Sequence, residues 1–439
     1  MAKKNVLILG AGLVTKPAVE YLSKAGYAIT VASRTVSKAQ ALIDGLEDAQ
    51  ALTFNVGDGD LLDKLVSEAD LAISLLPATY HVEVAKACLR HDKPMVTTSY
   101  VSPAMRSLDE EAKAKGLLLL NEIGLDPGID HMSAMKIIHD VEKRGGKVVS
   151  FKSYCGGLPA PEANDNPWGY KFSWSPRGVV IAGTNSARYL EDGEVVEIPG
   201  PELFAHHWPL AVPGAQTFEA YPNRDSLGYI ELYGLEQAKT MLRGTLRYPG
   251  WCDCWKALVD LGMLSLDERK DLAGKTYRQL LAELVGGNAE TLEKDLESKL
   301  GLDPEGDVMA RWRWLGLLSD EPVADEPTVL DVFAHRLQEK LQYAEGERDM
   351  IVLHHEFMVE FPEGSKKITS TMIDYGIPGG HSSMARTVSL PAAVGTKLIL
   401  EGALNLTGVH IPVLPEIYEP VLAELEQMDI TCREEEFDL

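Results

Sequence analysis

The sequence contains no apolar run of about 18 residues, the length that a membrane-spanning helix requires. It has only five cysteines in 439 residues, which suits a reducing compartment and excludes a dense disulfide framework. Positive charge is scarce, with 42 Lys and Arg against 66 Asp and Glu, so neither nucleic acid nor an anionic membrane is the expected partner. The first residues run directly into a strand-like segment without the apolar region of a signal peptide. We therefore expect a cytoplasmic protein.

Short apolar segments alternate with helical patterns through the first 125 residues. Such alternation is typical of right-handed βαβ units and of a parallel sheet covered by helices on both faces. Residues 1–125 are therefore predicted to form an α/β Rossmann domain that binds a dinucleotide. Strands are predicted at 6–9, 28–32, 51–55, 71–76, 95–98 and 117–121, and helices at 17–25, 37–46, 60–68, 81–90 and 103–115.

Beyond residue 125 the pattern predicts an α+β substrate domain with a mixed sheet, formed by residues 126–249 and 346–390. Its strands include 147–155 and a hairpin of 350–361 with 367–375. Residues 250–345 have apolar positions at helical spacing and are predicted to be a helical insertion. The segment 391–439 is predicted to return to the Rossmann domain, with a helix at 391–402 and a frayed acidic end at 429–439.

A glycine-rich turn joins the first predicted strand to the first predicted helix at Gly10, Ala11, Gly12 and Leu13. Gly10 permits a tight turn, and Gly12 lets the backbone approach a pyrophosphate at a helix N-terminus. Thr15 replaces the third glycine of the usual fingerprint, but the strand–turn–helix context favours a dinucleotide site. The alternative is a tight turn without a ligand.

The end of the second predicted strand lacks the acidic residue that usually binds the ribose hydroxyl of NAD. It offers Ser33, Arg34 and Thr35 instead, which suit the dianionic 2′-phosphate of NADP(H). The alternative is an arginine on a solvated loop. Because ligands bind at the carboxyl ends of parallel strands, further cofactor residues are expected there. These are Asn55, Val56, Leu75, Leu125 and Asp126.

The sequence does not predict a metal site. Cys252 and Cys254 form a CxC pair with no second pair nearby. His354 and His355 are adjacent in a predicted strand, where neighbouring side chains point to opposite faces.

Several long segments resemble the saccharopine reductases, which are the glutamate-forming saccharopine dehydrogenases. The most specific is the string NEIGLDPGIDH at 121–131. The resemblance spans nearly the whole chain. Further matching segments are the turn at 10–12 with Pro17, and residues 99–103, 154–162, 169–175, 221–226 and 243–248.

The resemblance implies the reaction saccharopine + NADP⁺ + water ⇌ glutamate + 2-aminoadipate 6-semialdehyde + NADPH. This reaction belongs to lysine biosynthesis by the aminoadipate route, or to lysine degradation in related enzymes. The resemblance places substrate at Ser99, Tyr100, Asp126, Arg224, Thr245, Leu246 and Arg247. Within the matching segments, Pro127 and Ser175 join the expected cofactor residues.

Saccharopine carries three carboxylates, so its site needs fixed cations, and arginine binds carboxylates in a bidentate manner. Arg243 and Lys171 are therefore added to the expected substrate residues. A surface ion pair is the alternative for each cation. Proton transfers in the reaction need a general acid–base group, and the candidates near strand ends are Asp126, Tyr100 and Cys155.

Two other functions stay open from the sequence. An enzyme resembling carboxynorspermidine dehydrogenase would join a polyamine to an aldehyde, and its cationic substrate would favour acidic residues over several arginines. A non-enzymatic NADP(H)-binding sensor would need only the cofactor site. A homodimer formed through the second domain is also compatible with the sequence.

Overall fold

The computed structural model describes residues 3–439. The strands are β1 (Asn5–Leu9), β2 (Ala28–Ser33), β3 (Ala49–Thr53), β4 (Leu71–Ser74), β5 (Met95–Thr97), β6 (Leu118–Leu120), β7 (Lys147–Pro159), β8 (Ala187–Glu191), β9 (Glu194–Ile198), β10 (Trp208–Ala211), β11 (Thr217–Pro222), β12 (Thr240–Arg247), β13 (Asp349–Phe361), β14 (Gly364–Tyr375), β15 (Gly408–His410) and β16 (Arg433–Asp438).

The α-helices are α1 (Lys16–Lys24), α2 (Val36–Leu42), α3 (Gly59–Ser67), α4 (His81–Arg90), α5 (Pro103–Arg106), α6 (Asp109–Ala114), α7 (Ile129–Lys143), α8 (Pro176–Ala182), α9 (Gly228–Leu232), α10 (Trp251–Leu261), α11 (Tyr277–Leu284), α12 (Leu292–Leu300), α13 (Asp307–Leu315), α14 (Val329–Lys340), α15 (Ser383–Leu400) and α16 (Pro415–Glu426). Short 3-10 helices lie at Ala78–Tyr80, Pro161–Ala163 and Gly200–Ala205. Among the helices of residues 3–439, none has the length and apolar character needed to cross a membrane.

The chain divides into two compact units. Unit 1 contains the residues up to Gly146 and Gly379–Arg433, and unit 2 contains Lys147–Pro378 and Glu434–Leu439. The first predicted domain ended at residue 125, whereas unit 1 also includes α7. Helix α7 packs against α16, which explains why it belongs to this unit.

Unit 1 is built on a seven-stranded sheet in the order β15-β6-β5-β4-β1-β2-β3. All of its neighbouring strands pair in parallel. Every residue of β4 is buried, as expected for a strand covered by helices on both faces. The order from β3 to β6 is that of a Rossmann fold. The predicted Rossmann domain is therefore confirmed, with β15 as an added edge strand.

Helix α15 is longer than the helix predicted at 391–402. It begins after the N-cap Ser382, whose Oγ accepts a hydrogen bond from the Ala385 N–H at 3.1 Å. Pro391 therefore lies inside the helix rather than at its start. The helix packs against α1 within unit 1. It is buried on most sides, so its apolar residues do not follow the one-sided pattern that marks a surface helix.

Unit 2 contains a mixed nine-stranded sheet in which the main order is β10-β11-β12-β7-β13-β14-β16, with β8 pairing β12 and β9. Strands β12 and β7 are parallel, whereas β13 is antiparallel to both β7 and β14. Helices α10 to α14 occupy the predicted helical insertion and contribute to a large aromatic and aliphatic core. The predicted α+β fold with a mixed sheet is therefore confirmed.

The acidic C-terminal segment, expected to be frayed, forms the edge strand β16 next to β14. Its side chains are exposed, and Lys366 pairs with Glu436 at 2.7 Å. The Leu439 N–H donates to the Ser365 carbonyl at 3.1 Å. Backbone pairing therefore orders a segment whose side chains resemble those of a solvated tail.

Candidate active site

The phosphate loop predicted at 10–13 connects β1 to α1. Gly10 has a φ of 114°, and a Cβ atom there would lie 2.7 Å from the Leu75 carbonyl oxygen, so only glycine fits. Apart from its chain neighbours, no residue within 3–439 has an atom within 4 Å of a Cβ placed at Gly12, which leaves open space beside the backbone. This geometry fits a pyrophosphate placed at the N-terminus of α1.

Thr15 compensates for the missing third glycine. Its side chain is fully buried, and its Oγ1 accepts a hydrogen bond from the Gly12 N–H at 3.2 Å. The same hydroxyl lies 3.4 Å from the Gly10 carbonyl oxygen, to which it donates. Thr15 therefore stabilises the turn through two hydrogen bonds to its backbone, and the absence of the third glycine does not disrupt the loop.

Ser33, Arg34 and Thr35 follow one another at the carboxyl end of β2. Arg34 and Thr35 are exposed, and Ser33 is half-buried. Thr35 is the N-cap residue of α2, but its side chain makes no capping hydrogen bond. One guanidinium and two hydroxyl groups thus lie together at the strand end, as the binding of a 2′-phosphate requires.

The remaining cofactor residues predicted in unit 1 follow the carboxyl ends of neighbouring strands. Because all strands of this sheet are parallel, these ends share one edge with the phosphate loop. The Leu75 N–H donates to the Leu9 carbonyl at 2.9 Å, which anchors the residue beside that loop. The set consists of Asn55 and Val56 after β3, Leu75 after β4, and Leu125, Asp126 and Pro127 after β6.

Tyr100 and Asp126 form a hydrogen-bonded pair at this edge. The Tyr100 hydroxyl donates to Asp126 Oδ1 at 3.0 Å, across the loops that follow β5 and β6. Both side chains are half-buried. The structure therefore brings together two of the three predicted acid–base candidates.

His81, the first residue of α4, was not predicted as a site residue from the sequence. Its Nδ1 lies 2.8 Å from Ser74 Oγ and its Nε2 lies 2.8 Å from the predicted substrate residue Ser99. Burial lowers the pKa of His81 to about 4, so the ring is neutral at physiological pH. The sequence feature that could have indicated His81 is its position at the start of a predicted helix that follows a strand end.

A second buried pair, also missed, supports the same edge. His131 Nε2 lies 2.8 Å from Glu122 Oε2, and the other carboxylate oxygen of Glu122 accepts the Val101 N–H at 2.8 Å. The Glu122 N–H donates to the Ser99 carbonyl at 3.2 Å. Residues 99–101 are thus held by hydrogen bonds to both backbone and side chains.

In unit 2, Arg243, Thr245 and Arg247 lie on one face of β12 because alternate residues of a strand point the same way. Arg243 is 3% exposed, and its guanidinium lies 4.4 Å from the centre of the Tyr229 ring. Arg247 is 7% exposed, and its guanidinium lies 5.2 Å from the ring centres of Tyr170 and Trp251. These contacts hold two charged groups in fixed positions.

Arg247 has unused hydrogen-bonding capacity. One of its terminal nitrogens donates to the Leu246 carbonyl at 2.7 Å. Its Nε is buried and finds no hydrogen-bond partner among residues 3–439. A buried cation of this kind is costly unless an anionic group binds it, so the position suits a substrate carboxylate.

The pairing of β12 with β7 places Cys155 next to Thr245 on the same face of the sheet. Arg224 follows β11 in an exposed loop, with a left-handed φ of 56°. Leu246 points the other way and is fully buried in the core of unit 2. Its substrate role stays a prediction.

Two further predicted residues are engaged in local structure. Lys171 Nζ lies 2.7 Å from Glu347 and 2.8 Å from Asp165, so two carboxylates already neutralise the expected substrate cation. Lys171 therefore takes part in an ion-pair network, and its substrate role stays a prediction. Ser175 is the N-cap of α8, where its Oγ accepts the Gly178 N–H at 3.2 Å. Its cofactor role stays a prediction.

His207, Glu219 and Cys252 bring three potential metal ligands within 4.8 Å of one another. Glu219 already has a structural role, because its two oxygens accept the N–H groups of Gly250 and Cys252 at 2.6 and 2.9 Å. This carboxylate caps the N-terminus of α10 from β11. Burial, followed by the nearby Glu219 charge, raises the pKa of the Cys252 thiol, so the thiol stays protonated.

Two family models cover almost the whole chain. The saccharopine dehydrogenase NADP binding domain matches residues 6–120, and the saccharopine dehydrogenase C-terminal domain matches residues 124–430. A Pyricularia oryzae protein named saccharopine dehydrogenase (NADP(+), L-glutamate-forming) is 42% identical over 99% of both chains. The Saccharomyces cerevisiae protein of the same name is 43% identical over 96% of this chain and 97% of its own.

Other similarities agree with this result. The mitochondrial alpha-aminoadipic semialdehyde synthase of Rattus norvegicus is 40% identical over 97% of this chain, which corresponds to 47% of that longer protein. The solved structure of apo saccharopine dehydrogenase (L-Glu forming) from Saccharomyces cerevisiae is similar with a TM-score of 0.91 and 42% identity, covering 99% of this chain and 100% of that one.

The Rossmann unit, its match to an NADP binding domain and the full-length similarity to proteins named for NADP(+) show an NADP-dependent oxidoreductase. More specifically, the chain belongs to the saccharopine dehydrogenase family.

Proposed function

We propose that the protein interconverts saccharopine with glutamate and 2-aminoadipate 6-semialdehyde in lysine metabolism, using NADP(H). The observation that carries this proposal is the similarity over the full length of both domains to proteins named for this reaction. The buried guanidinium of Arg247 supports it, since the substrate offers three carboxylates.

The cofactor, when bound, supplies the hydride that reduces an imine carbon or accepts it in the reverse direction. We assign the pyrophosphate to Gly10, Ala11, Gly12 and Leu13, and the 2′-phosphate to Ser33, Arg34 and Thr35. The exposure of Arg34 and the open space beside Gly12 support this assignment. The strand-end residues Asn55, Val56, Leu75, Leu125, Asp126 and Pro127 complete the assigned cofactor residues in unit 1.

We assign the substrate carboxylates to Arg224, Arg243 and Arg247, with the Thr245 hydroxyl beside them. The guanidinium of Arg247 lies against Tyr170 and Trp251, which restrict its motion, and its Nε is available to a carboxylate. The Ser99 hydroxyl, the Tyr100 hydroxyl and the Asp126 carboxylate are assigned to the reacting amine and its neighbours. Orientation of the imine carbon is the main contribution that such fixed groups make.

Proton transfer accompanies the addition of the amine to the aldehyde and the loss of water. The Tyr100–Asp126 pair is our candidate for holding that proton, because a phenol and a carboxylate in contact can exchange one with a ligand. Cys155 is the second candidate, since it lies beside Thr245 on the face that carries the two arginines.

A polyamine-coupling enzyme and a non-enzymatic sensor are the competing functions. Two buried arginines on one strand face would repel a cationic polyamine, which disfavours the first alternative. A sensor would not require the arginine face. We also infer a cytoplasmic location and a homodimer, and light scattering on the purified protein tests the oligomeric state.

The deciding experiment is the initial rate of absorbance increase at 340 nm with saccharopine, run in parallel with NADP⁺ and NAD⁺. We expect a strong rate with NADP⁺ and a weak rate with NAD⁺. A strong rate with NAD⁺ alone would keep the enzyme class and contradict the assignment of Arg34. No rate with either, from protein that binds NADPH, would contradict the proposed function, and carboxynorspermidine with NADP⁺ then tests the polyamine alternative.

A further inference from the structure

Three neutral side chains form a hydrogen-bonded chain at the edge of unit 1 where the parallel strands end and where the predicted substrate residue Ser99 lies. It begins at Ser74, the last residue of β4, which is fully buried. It continues through the His81 ring and ends at the Ser99 hydroxyl, with 2.8 Å at each contact. Thr97 Oγ1 also lies 3.4 Å from His81 Nε2. The imidazole therefore joins the carboxyl ends of two neighbouring strands.

We propose that His81 is a positioning residue that fixes the direction of the Ser99 hydroxyl toward the reacting groups. This inference rests on the proposed function, in which Ser99 contacts the substrate. His81 itself is 4% exposed and has a hydroxyl on each ring nitrogen, so it acts through Ser99.

The two hydroxyl partners satisfy either tautomer of the ring. If Nε2 carries the proton, it donates to Ser99 Oγ and leaves the Ser99 proton free to be donated to a ligand. If Nδ1 carries the proton, it donates to Ser74 and the Ser99 hydroxyl donates to Nε2. In both tautomers His81 occupies one hydrogen-bonding position of the Ser99 hydroxyl. Only the remaining position can form a hydrogen bond to the substrate.

The surroundings argue against a role for His81 as a proton acceptor. Burial lowers its pKa to about 4, and no carboxylate within residues 3–439 forms an ion pair with it. A group that stays neutral through the physiological range holds a neighbour in place better than it takes up a proton.

The test compares His81→Gln, His81→Ala, Ser99→Ala and the double variant H81A/S99A in steady-state kinetics with saccharopine and NADP⁺. Glutamine can offer an amide near the position of Nε2, whereas alanine cannot. A matched control is His91→Ala, which changes a histidine that follows the same helix and pairs with Asp63 at 3.0 Å. The control should retain wild-type kinetics.

We expect His81→Ala to lower kcat about tenfold, the loss expected for one hydrogen bond, with the KM for NADP⁺ changed less than about twofold. His81→Gln should recover most of the activity. The double variant should be no slower than Ser99→Ala alone, because His81 acts only through that hydroxyl.

Three results would overturn the inference. They are an unchanged kcat in His81→Ala, a double variant whose loss of kcat is the product of the two single losses, and a His81→Ala variant whose main change is a raised KM for NADP⁺. Thermal unfolding and NADPH binding establish that each variant folds. If His81→Ala does not fold, Ser74→Ala provides the second test, since removing the other anchor of the ring should lower kcat with an unchanged KM for NADP⁺. Absence of saccharopine turnover in the wild-type protein would instead refute the proposed function.

Discussion

At the residue scale, the basic side chains predicted for the two ligands occupy very different surroundings. Arg34 is exposed at a strand end, whereas Arg243 and Arg247 are buried against aromatic rings. Lys171 is neutralised by Asp165 and Glu347. A mutation at each position should therefore have a different consequence.

Replacing Arg34 with alanine should raise the KM for NADP⁺ by about tenfold or more, because a charge-assisted hydrogen bond to the 2′-phosphate is lost. The KM for NAD⁺ should barely change, since NAD⁺ has no phosphate there. Steady-state kinetics with both cofactors measure this difference. Lys24→Ala, an exposed basic residue at the end of α1, is the control. Equal effects on both cofactors would contradict the role of Arg34.

Arg247→Lys should raise the KM for saccharopine by about tenfold while leaving the KM for NADP⁺ unchanged. Lysine keeps the charge but loses the planar donors and the stacking on Tyr170 and Trp251. Substrate titration at saturating NADP⁺ provides the measurement.

Lys171→Gln is the matched comparison for that variant. It should lower the unfolding temperature because it removes the partner of two carboxylates, yet it should leave the KM for saccharopine near the wild-type value. A rise in this KM for Lys171→Gln, or no rise for Arg247→Lys, would reverse the two assignments.

The buried His81 also predicts a pH dependence of stability. Its folded-state pKa is lowered from 6.5 to about 4, so the unfolded chain binds a proton more readily than the folded chain between these values. The contribution of neutral His81 is fully present above pH 6.5 and is lost as the pH falls toward 4, by roughly 3 kcal/mol in total. Urea unfolding across this range should show a shallower loss for His81→Gln than for the wild type, and parallel curves would contradict the argument.

At the scale of elements, the strands and helices of the N-terminal domain could be predicted because parallel strands buried on both faces form short apolar runs between turns. Helix α15 could not be placed correctly. Pro391 suggests a helix start, but the helix tolerates it internally after beginning at Ser382. Two buried hydroxyls, Thr387 and Ser389, donate to carbonyls one turn earlier, so polar residues also enter the interior.

Strand β16 was not predicted, for a different reason. Its residues are all exposed, and their acidic composition is that of a solvated tail. Its order comes from its place beside β14 and from the contact between Lys366 and Glu436. Such pairing leaves no mark in the hydrophobic pattern of the sequence.

A chain ending at Cys432 should therefore remain folded and active. Removing β16 takes away an edge strand whose own residues are all exposed, so the unfolding temperature should fall by only about 2–4 °C, the shift expected for ~1 kcal/mol. Differential scanning calorimetry and the 340 nm assay measure both properties. Loss of the folded state would show that β16 contributes far more than its exposure indicates.

At the scale of the whole molecule, how well the surroundings of a predicted site residue could be anticipated depends on how far away in the sequence its partners lie. The clustering of the predicted cofactor residues of unit 1 could be expected because parallel topology alone brings strand ends to one edge. The placement of Cys155 beside Thr245 depends on the register of β7 with β12, which no local pattern specifies. The same holds for Lys171, whose partner Glu347 lies 176 residues later in the chain.

The division of unit 1 between two distant segments has a consequence for biosynthesis. Every predicted cofactor residue of that unit is translated within its first segment, but β15 and α15 belong to the second, beyond Pro378. At ~5–20 residues per second, the intervening segment of unit 2 takes roughly 10 to 50 s to synthesise. During that interval the nascent Rossmann sheet has an unpaired edge at β6 and an uncovered α1 surface, which are natural binding sites for a chaperone. Synthesis of unit 1 thus starts before the main segment of unit 2 and is completed after it.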